Sequence, residues 1–266
     1  EGLFIHSIDI TERKRAAENI EALNATLEQN VALRTSELEA KNKELQTFTY
    51  SVSHDLKAPL RGIDGYSRIL LEDYADTLDS EGQRFLQSIR TASGQMGQLI
   101  DDLLSYSKLE RQVLRKESIN IRAMVESMIS DQSSGIEALG ATVTVSVPEI
   151  TVCVDARGLR LALRNLIDNA LKFIGSESHP TIEIGARDDG EDCVLWVKDN
   201  GVGFDMQFID AIFNIFQRLH RAEEYSGTGV GLAIVRKAME RMGGSVWAEG
   251  EIAKGATFYL RIPKSL

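Results

Sequence analysis

The chain has 266 residues, and 30 Lys and Arg residues against 40 Asp and Glu residues give it a formal net charge of −10. This charge excludes a protein that binds nucleic acid through general attraction to phosphates, and it leaves an anionic nucleotide to be held by backbone amides, a metal and a few placed cations. A hydrophobic fraction of 43% excludes a wholly disordered chain, while 4 prolines and 6% aromatic residues favour long helices over an all-β sandwich.

The N-terminal region predicts the end of a strand followed by a long dimeric helix. Residues 1–9 are typical of a strand end, and Thr11 is the predicted N-cap of the helix. Two columns of residues recur every seven positions, namely Ala17, Asn24, Val31, Leu38, Leu45 and Val52, and Ile20, Leu27, Arg34, Lys41 and Phe48. Such columns indicate a coiled-coil seam, so we expect a parallel dimer; the alternative is one amphipathic helix packed within a monomer.

The same helix is predicted to continue into a helical hairpin. Apolar residues follow at helical spacing through Leu70, a polar break covers residues 76–82, and a second amphipathic helix comes after it. Two copies of such a hairpin form a four-helix bundle. The sequence therefore assigns residues 11–45 to a coiled-coil helix and residues 46–110 to a dimerisation bundle.

Short strands alternate with helices after residue 116, which predicts an α/β sandwich. The expected elements, in chain order, are a helix at 121–134, strands at 141–147 and 151–154, a helix at 156–173, strands at 181–187 and 192–198, a helix at 229–242, and strands at 244–249 and 255–262. The polar residues 111–118 are the predicted hinge, and residues 119–266 are the predicted second domain.

The two cysteines have no partners at a spacing typical of a metal site. Cys153 and Cys193 are therefore predicted to be reduced thiols of a cytoplasmic protein. No apolar run approaches the roughly 20 residues of a membrane span. Because the chain starts without Met, in what is typical of mid-domain sequence, we expect a fragment of a longer protein.

One histidine lies where the helical pattern turns it away from the apolar seam. At about 100° per residue, His54 in the segment SHDLKAPL (residues 53–60) is predicted to face solvent. Asp55 can accept a hydrogen bond from the imidazole and leave the other ring nitrogen as a nucleophile. Pro59 lacks an N–H group and should loosen the helix just beyond His54. The alternative is an ordinary surface histidine.

Four segments in the second half carry residues that suit a bound nucleotide. They are residues 165–173, 199–203, 213–218 and 227–232. In the first segment Asn165, Asn169 and Lys172 share one helix face, where amide oxygens can bind Mg²⁺ and the ammonium can bind a phosphate. In the second, Asp199 ends a strand, and its carboxylate can accept a hydrogen bond from the amine of adenine while the nearby glycines allow close approach.

The last two segments predict a phosphate loop and a lid. Glycines near the start of a helix let free amides approach phosphates, and this loop contains Gly227, Gly229 and Gly231. Phe213 and Phe216 can anchor a flexible lid that extends through Tyr225, and Arg218 can reach a terminal phosphate. Each segment alone also fits a structural explanation: a polar helix stripe, an ordinary turn, core packing or a plain glycine-rich loop.

In this order the motifs resemble those of the sensor histidine kinases of two-component signalling. The sequence HDLKAPL (residues 54–60) resembles the family's phosphoacceptor box, and residues 255–258 resemble its last core strand. Its N, G1, F and G2 boxes are resembled by residues 165–173, 199–203, 213–216 and 227–231. Residues 215–220 and 224–229 are similar to phytochrome-like kinases. Residues 1–14 resemble the exit of a PAS-type sensor domain, so residues 1–10 are assigned to one.

This resemblance implies a coiled-coil linker and dimeric four-helix bundle followed by an α/β sandwich of the Bergerat (GHKL) type that binds ATP. It implies that His54 takes the γ-phosphoryl group of ATP and that Asp55 orients the imidazole and accepts its proton. Asn169 would ligate Mg²⁺ with support from Asn165. The implied ATP-binding residues are Asn165, Asn169, Lys172, Asp199, Gly201, Gly203, Phe213, Phe216, Arg218, Gly227, Thr228, Gly229, Gly231 and Leu232.

The implied partners are a second copy of the chain, an upstream sensor domain and the receiver domain of a response regulator, whose Asp takes the phosphoryl group. Ala58 departs from the family, since many members carry Thr or Asn there to position a water during dephosphorylation of the regulator. Weak phosphatase activity is therefore expected. Two alternatives stay open: a pseudokinase scaffold, and a clamp ATPase of the gyrase, chaperone or mismatch-repair kind, which uses Glu where this chain has Asn165.

Overall fold

The computed structural model describes residues 2–111, 113–174, 179–219, 225 and 227–264. The chain divides into two units, one of residues 1–52 and one of residues 53–266. Within the described part of the chain, none of the helices combines the length and the apolar character that a membrane-spanning segment requires.

The first unit is helical because it belongs to α1 (Gly2–Asp73). The strand predicted at residues 1–9 and the N-cap predicted at Thr11 are therefore wrong. A short apolar run fits a helix as well as a strand, and neither Gly nor Pro interrupts residues 3–52. Seam residues such as Ile20, Val31 and Leu38 are largely exposed in the single chain.

The second unit begins with a helical hairpin, as the sequence predicts. After α1 come a 3-10 turn (Ala75–Thr77) and α2 (Ser80–Arg111). Asp79 accepts a hydrogen bond of 2.7 Å from the amide of Gly82 and so caps the start of α2. Pro59 lies inside α1 without ending it.

The two helices of the hairpin are joined by polar contacts. The hydroxyl of Ser93 donates to the carbonyl oxygen of Leu60 at 3.0 Å, and Arg90 pairs with Asp64 at 3.1 Å. Several large apolar side chains of the hairpin stay exposed, among them Ile63 at 44% and Phe85 at 53%. The single chain therefore leaves part of the apolar stripe of this hairpin uncovered.

The rest of the second unit, called here the sheet domain, is an α/β sandwich, which confirms the predicted fold class. Its elements are β1 (Lys116–Asn120), α3 (Ile121–Asp131), α4 (Ser133–Leu139), β2 (Thr142–Ser146), β3 (Thr151–Asp155), α5 (Ala156–Phe173), β4 (Thr181–Asp189), β5 (Asp192–Asp199), a 3-10 turn (Met206–Phe208), α6 (Gly231–Arg241), β6 (Ser245–Glu251) and β7 (Gly255–Pro263). The main sheet has the order β2-β4-β5-β7-β6, in which only β2 and β4 run parallel. β1 and β3 form a separate antiparallel pair.

The core of the sheet domain lies between the helices and the main sheet. The side chain of Asp155 accepts a hydrogen bond of 2.8 Å from Gly158 and starts α5. Apolar residues at helical spacing then bury one face of α5 completely, with Leu159, Leu163 and Leu166 fully enclosed. This packing holds the opposite, polar face of α5 in a fixed position.

Two sequence-based boundaries are wrong in this region. Part of the predicted hinge, residues 116–118, is strand and pairs with β3, so the connection between α2 and the sheet domain is shorter. The strand is hard to predict because its single buried residue is Ile119, which leaves no alternating pattern. The helix predicted at 121–134 is two helices separated at Gln132.

Candidate functional site

A cavity of about 600 Å³ in the second unit gathers most of the residues predicted to bind a nucleotide. Its wall includes Asn165, Asn169, Lys172, Asp199, Gly203, Arg218, Gly227, Thr228, Gly229, Gly231 and Leu232. Gly201, Phe213 and Phe216 are not among the described lining residues. Its volume lies in the range of ordinary small-molecule sites.

The polar face of α5 forms one wall. The amide nitrogen of Asn165 donates to the carbonyl oxygen of Leu161 at 2.8 Å, which leaves the side-chain oxygen of Asn165 directed at Gly231. A Cβ atom at Gly231 would lie 2.8 Å from that oxygen, so only glycine fits without a shift. The amide oxygen of Asn165 therefore faces the start of α6.

Lys172 supplies a partly dehydrated cation to the same wall. Burial, together with the positive charge of Arg218, lowers the pKa of Lys172 to about 8. The ammonium nitrogen lies 4.1 Å from the ring centroid of Phe173, and a Cβ atom at Gly227 would approach it to 2.9 Å. An anionic group in the cavity would stabilise the charged form of Lys172.

Asp199 is the buried acceptor that the sequence predicts at the end of β5. Its side chain is 5% exposed, and burial raises its pKa to about 6 against the opposing hydrogen bonds from the amides of Gly201 and Ala256. The Gly201 bond measures 2.9 Å. A Cβ atom at Gly201 would lie 2.3 Å from the carbonyl oxygen of Phe173, so glycine is required for this turn to pack. The cavity thus has a carboxyl group that can pair with a hydrogen-bond donor.

The aromatic pair of the predicted lid takes a different place. Phe213 is buried and packs edge-on against Phe258, with centroids 6.5 Å apart, so it belongs to the core. Phe216 is 58% exposed and has a positive φ of 66°. Arg218 donates to the carbonyl oxygen of Tyr225 at 2.7 Å. Residues 220–224 of the predicted lid lie outside the described residues.

Several lining residues escaped the sequence analysis. The most consequential come from α2, namely Gln98, Asp101, Asp102 and Ser105. The hydroxyl of Thr228 donates to the carboxylate of Asp102 at 2.5 Å. Asp102 lies more than a hundred positions from the loop that it contacts, so no local sequence signal could have revealed this contact.

His54 stands on the hairpin with its imidazole in solvent, which confirms its predicted orientation. Its side chain is 77% exposed, and Nδ1 lies 3.2 Å from a carboxylate oxygen of Asp55. Lys57, one turn further along, donates to Asp101 of α2. His54 is absent from the described lining residues of the cavity. The hairpin thus presents an accessible imidazole whose Nδ1 is engaged and whose Nε2 is free to react in the Nδ1–H tautomer.

A magnesium ion in the cavity would depend on amide oxygens. Among the described residues, no three His, Cys, Asp or Glu side chains cluster as a metal site. Oxygen ligands from Asn165 and Asn169, completed by phosphate oxygens, suit Mg²⁺, which is held by few protein ligands at phosphate sites. The fold and the site therefore define an α/β domain with a cavity suited to a nucleotide, attached to a helical hairpin that carries an exposed histidine.

Comparison with known families gives this class its name. Residues 154–266 match the model of the histidine kinase-, DNA gyrase B-, and HSP90-like ATPases, and residues 44–112 match the His Kinase A (phospho-acceptor) domain. The chain belongs to the sensor histidine kinases. It carries the two domains of an ATP-dependent protein histidine kinase.

Individual relatives agree with this assignment. Cyanobacterial phytochrome A of Nostoc sp. (strain PCC 7120) is 40% identical over 227 residues, which cover 85% of this chain and 29% of that protein. The chain thus spans less than a third of that relative. Full-length ShkA, solved in complex with AMPPNP, has a TM-score of 0.63 at 26% identity, over 82% of this chain and 45% of that chain. Histidine kinase ThkA, solved with the response regulator protein TrrA, shares the fold with a TM-score of 0.62 at 22% identity, over 86% of this chain and 66% of that chain.

Proposed function

We propose that the protein transfers the γ-phosphoryl group of ATP to His54 and then passes it to an Asp of a response regulator. The observation that carries this proposal is the exposed imidazole of His54, whose Nδ1 lies 3.2 Å from Asp55 in the phospho-acceptor region. An exposed nucleophile with an adjacent carboxylate is suited to accept a group and release a proton.

The chemical step can be written from these residues. Nε2 of His54 attacks the γ-phosphorus, a P–N bond forms, and the bond from that phosphorus to the bridging oxygen breaks so that ADP leaves. The imidazole becomes positively charged during attack, and Asp55 accepts the Nδ1 proton, which leaves a neutral imidazole ring that carries the anionic phosphoryl group. Such a transfer depends chiefly on in-line placement and charge neutralisation.

The cavity supports binding of ATP. Asp199, Lys172 and Arg218 line the cavity. Asp199 would accept a hydrogen bond from the exocyclic amine of adenine, and Lys172 and Arg218 would supply positive charge for the phosphates. Asn169, with Asn165 in support, would hold Mg²⁺, which neutralises phosphate charge when bound. The complex of ShkA with AMPPNP, an ATP analogue, is consistent with this use of the fold.

The reaction requires a rearrangement, because His54 does not belong to the described wall of the cavity. Only residues 113–115 form the described connection between α2 and β1, so movement there would carry the whole sheet domain. Signals from an upstream sensor domain, for which a PAS-type domain is our proposal, would act through the coiled coil of residues 11–45. The kinase would act in the cytoplasm, where ATP and response regulators are available.

Two protein partners are proposed, a second copy of the chain and a response regulator. Exposed apolar residues along α1 and α2, such as Ile63 and Phe85, support a homodimer through a four-helix bundle. The structure of ThkA with the response regulator TrrA supports a receiver domain as the phosphoryl acceptor. Ala58 is exposed one turn after His54 and has no polar atom to position a water, so we propose weak phosphatase activity.

The test is incubation of the protein with γ-labelled ATP and Mg²⁺. We expect protein-bound label that is labile in acid, stable in alkali and absent from the His54→Gln variant. His179→Gln is the matched control, because His179 is exposed just before β4 and is not among the described lining residues of the cavity, and it should retain the label.

Other outcomes would identify the competing functions. ATP binding without label would support a pseudokinase scaffold. Release of phosphate without label, unchanged by His54→Gln, would support a clamp ATPase. Either result would contradict the proposed transfer to His54.

A further inference from the structure

Two adjacent carboxylates of α2 lie at the nucleotide cavity and face different parts of the molecule. Asp101 accepts a hydrogen bond from Lys57, one turn beyond His54 on α1. Asp102 accepts a hydrogen bond of 2.5 Å from the hydroxyl of Thr228. Consecutive helical residues point about 100° apart, so one dipeptide contacts both the helix that carries His54 and the loop before α6.

Thr228 sits at the centre of the loop that is proposed to bind the phosphates. Gly227 and Gly229 flank it with φ values of 151° and 72°, and a Cβ atom at Gly229 would lie 2.8 Å from the carbonyl oxygen of Gln217. The hydroxyl of Thr228 can donate one hydrogen bond, and Asp102 accepts it. While this bond exists, the hydroxyl cannot donate to a phosphate.

A second contact holds α2 against the sheet domain without reaching the phosphate loop. Glu110 pairs with Lys237 of α6 at 2.7 Å, and this hydrogen bond raises the pKa of Lys237. Glu110 lies about two turns beyond Asp102 on α2. Docking of α2 and occupation of the Thr228 hydroxyl can therefore be separated by mutation.

We propose that Asp102 is a selectivity residue that weakens the binding of ATP relative to ADP by occupying Thr228 and by placing a negative charge beside the terminal phosphate. The inference rests on the proposed binding of ATP in this cavity. The terminal phosphate of ATP adds negative charge at the end of the nucleotide, so repulsion by a fixed carboxylate acts more strongly on ATP than on ADP.

The same competition couples nucleotide binding to the docking of α2. ATP must displace Asp102 from Thr228. The free energy that this displacement costs ATP binding equals the free energy by which bound ATP weakens the docking of α2. The phosphate loop of residues 227–231 is thereby freed from α2 when ATP, rather than ADP, occupies the cavity. Release of the loop from α2 would precede the movement of the sheet domain that transfer to His54 requires.

The test compares the wild type with Asp102→Asn and with the control Glu110→Gln. Affinities for ATP and ADP are measured by titration calorimetry without turnover, at low temperature and in the absence of Mg²⁺. Asp102→Asn should bind ATP about fivefold more tightly and ADP no more than about twofold more tightly. Glu110→Gln weakens docking but keeps the charge of Asp102 near the loop, so it should raise ATP affinity by no more than about twofold, which is less than Asp102→Asn does.

A nucleotide-free measurement separates this proposal from the proposed function. Hydrogen exchange of the amides at residues 227–231 should be faster in Asp102→Ala than in the wild type, whereas Glu110→Gln should leave it near the wild-type rate. Equal exchange in Asp102→Ala and the wild type, or equal ATP affinity in Asp102→Asn and the wild type, would overturn the proposal while leaving kinase activity in place. A wild type that binds neither nucleotide even when Mg²⁺ is present would overturn both.

Discussion

The helical hairpin and the sheet domain use their apolar residues in opposite ways. In the sheet domain, α5 encloses Leu159, Leu163 and Leu166 completely. In the hairpin, Ile63 and Phe85 keep about half of their surface in solvent. The sheet domain thus completes its core within one chain, whereas the hairpin leaves part of its apolar stripe uncovered, as expected for the proposed dimer.

Buried polar groups divide between the two regions in a similar way. Among the described residues, the buried polar or charged side chains are Ser53, Ser67, Ser93 and Asp199. The serines lie in the hairpin, where Ser93 spends its hydroxyl on the carbonyl oxygen of Leu60. Asp199 lies in the sheet domain at the cavity. The hairpin therefore uses buried polarity to join helices, and the sheet domain uses it to build a site.

A charge placed in the apolar stripe of the hairpin tests whether this stripe forms the proposed dimer interface. Ile63→Glu should weaken the dimer by more than about a hundredfold, because a buried carboxylate without a partner costs several kcal/mol. Sedimentation equilibrium measures the effect. Arg68→Glu is the control on the same helix, five residues away and outside the apolar column, and it should remain dimeric. A dimeric Ile63→Glu variant would show that the hairpin does not associate through this stripe.

Truncation of a buried leucine of α5 tests whether the core of the sheet domain depends on this helix. Leu163→Ala should lower the free energy of unfolding of the sheet domain by about 3 kcal/mol, since it removes a fully buried side chain. Trp196 and Trp247 both lie in the main sheet, so their fluorescence in urea follows this domain. Leu139→Ala, at an exposed position of α4, should change stability by less than about 0.5 kcal/mol. Equal losses would mean that burial does not distinguish the two sites.

Removing the cation of α5 addresses the site within the sheet domain. Lys172→Met should weaken ATP binding by about tenfold, because a buried charge partner of the phosphates is lost.

The pKa of Lys172 in the wild type is about 8, and bound phosphate would raise it. Binding above pH 8 therefore takes up a proton, and affinity falls as the pH rises. Calorimetry in two buffers of different ionisation enthalpy detects this uptake. Lys198→Met, exposed on β5, is the control, and proton uptake that persists in Lys172→Met would contradict the assignment.

Asp199 should produce the opposite limb of the pH profile. Burial raises its pKa to about 6, and the charged carboxylate is the better acceptor for an amine, so affinity should fall as the pH drops below 6. The loss should approach but not exceed about tenfold for each pH unit. Titrations of ATP between pH 5 and pH 8 measure it. A flat profile over this range would exclude Asp199 as a charged acceptor.

The smallest expected effect lies in the hairpin. Ala58→Thr should accelerate dephosphorylation of a phosphorylated response regulator by a few-fold, because the hydroxyl can orient a water. The rate of autophosphorylation serves as the internal control and should change little. An unchanged rate of dephosphorylation would mean that Ala58 does not limit the phosphatase reaction.

Local patterns in the sequence predicted the fold where one residue pattern allowed one structure. The strongly amphipathic residues 156–173 form α5 with the predicted ends, and Asp199 and the glycines at 227–231 meet at one cavity. Predictions were wrong where short patterns were ambiguous. The apolar residues near the N-terminus belong to α1, and β1 was missed because only Ile119 is buried.

Contacts between distant segments could not be predicted from the sequence. The bond from Thr228 to Asp102 depends on how α2 packs against the sheet domain, and each residue alone is an ordinary polar side chain. Phe213 illustrates the converse, since a residue assigned to an ATP-binding motif packs into the core against Phe258. Tertiary packing decides which motif residues reach the cavity.

The ring nitrogen that carries the phosphate tests directly whether Nε2 of His54 receives the phosphoryl group. The contact between Nδ1 of His54 and Asp55 leaves Nε2 as the nucleophile. After labelling with ATP, ³¹P NMR together with mass-spectrometric site mapping should therefore find phosphate on Nε2 of His54. Phosphate on Nδ1, on another histidine or on no histidine would contradict the account.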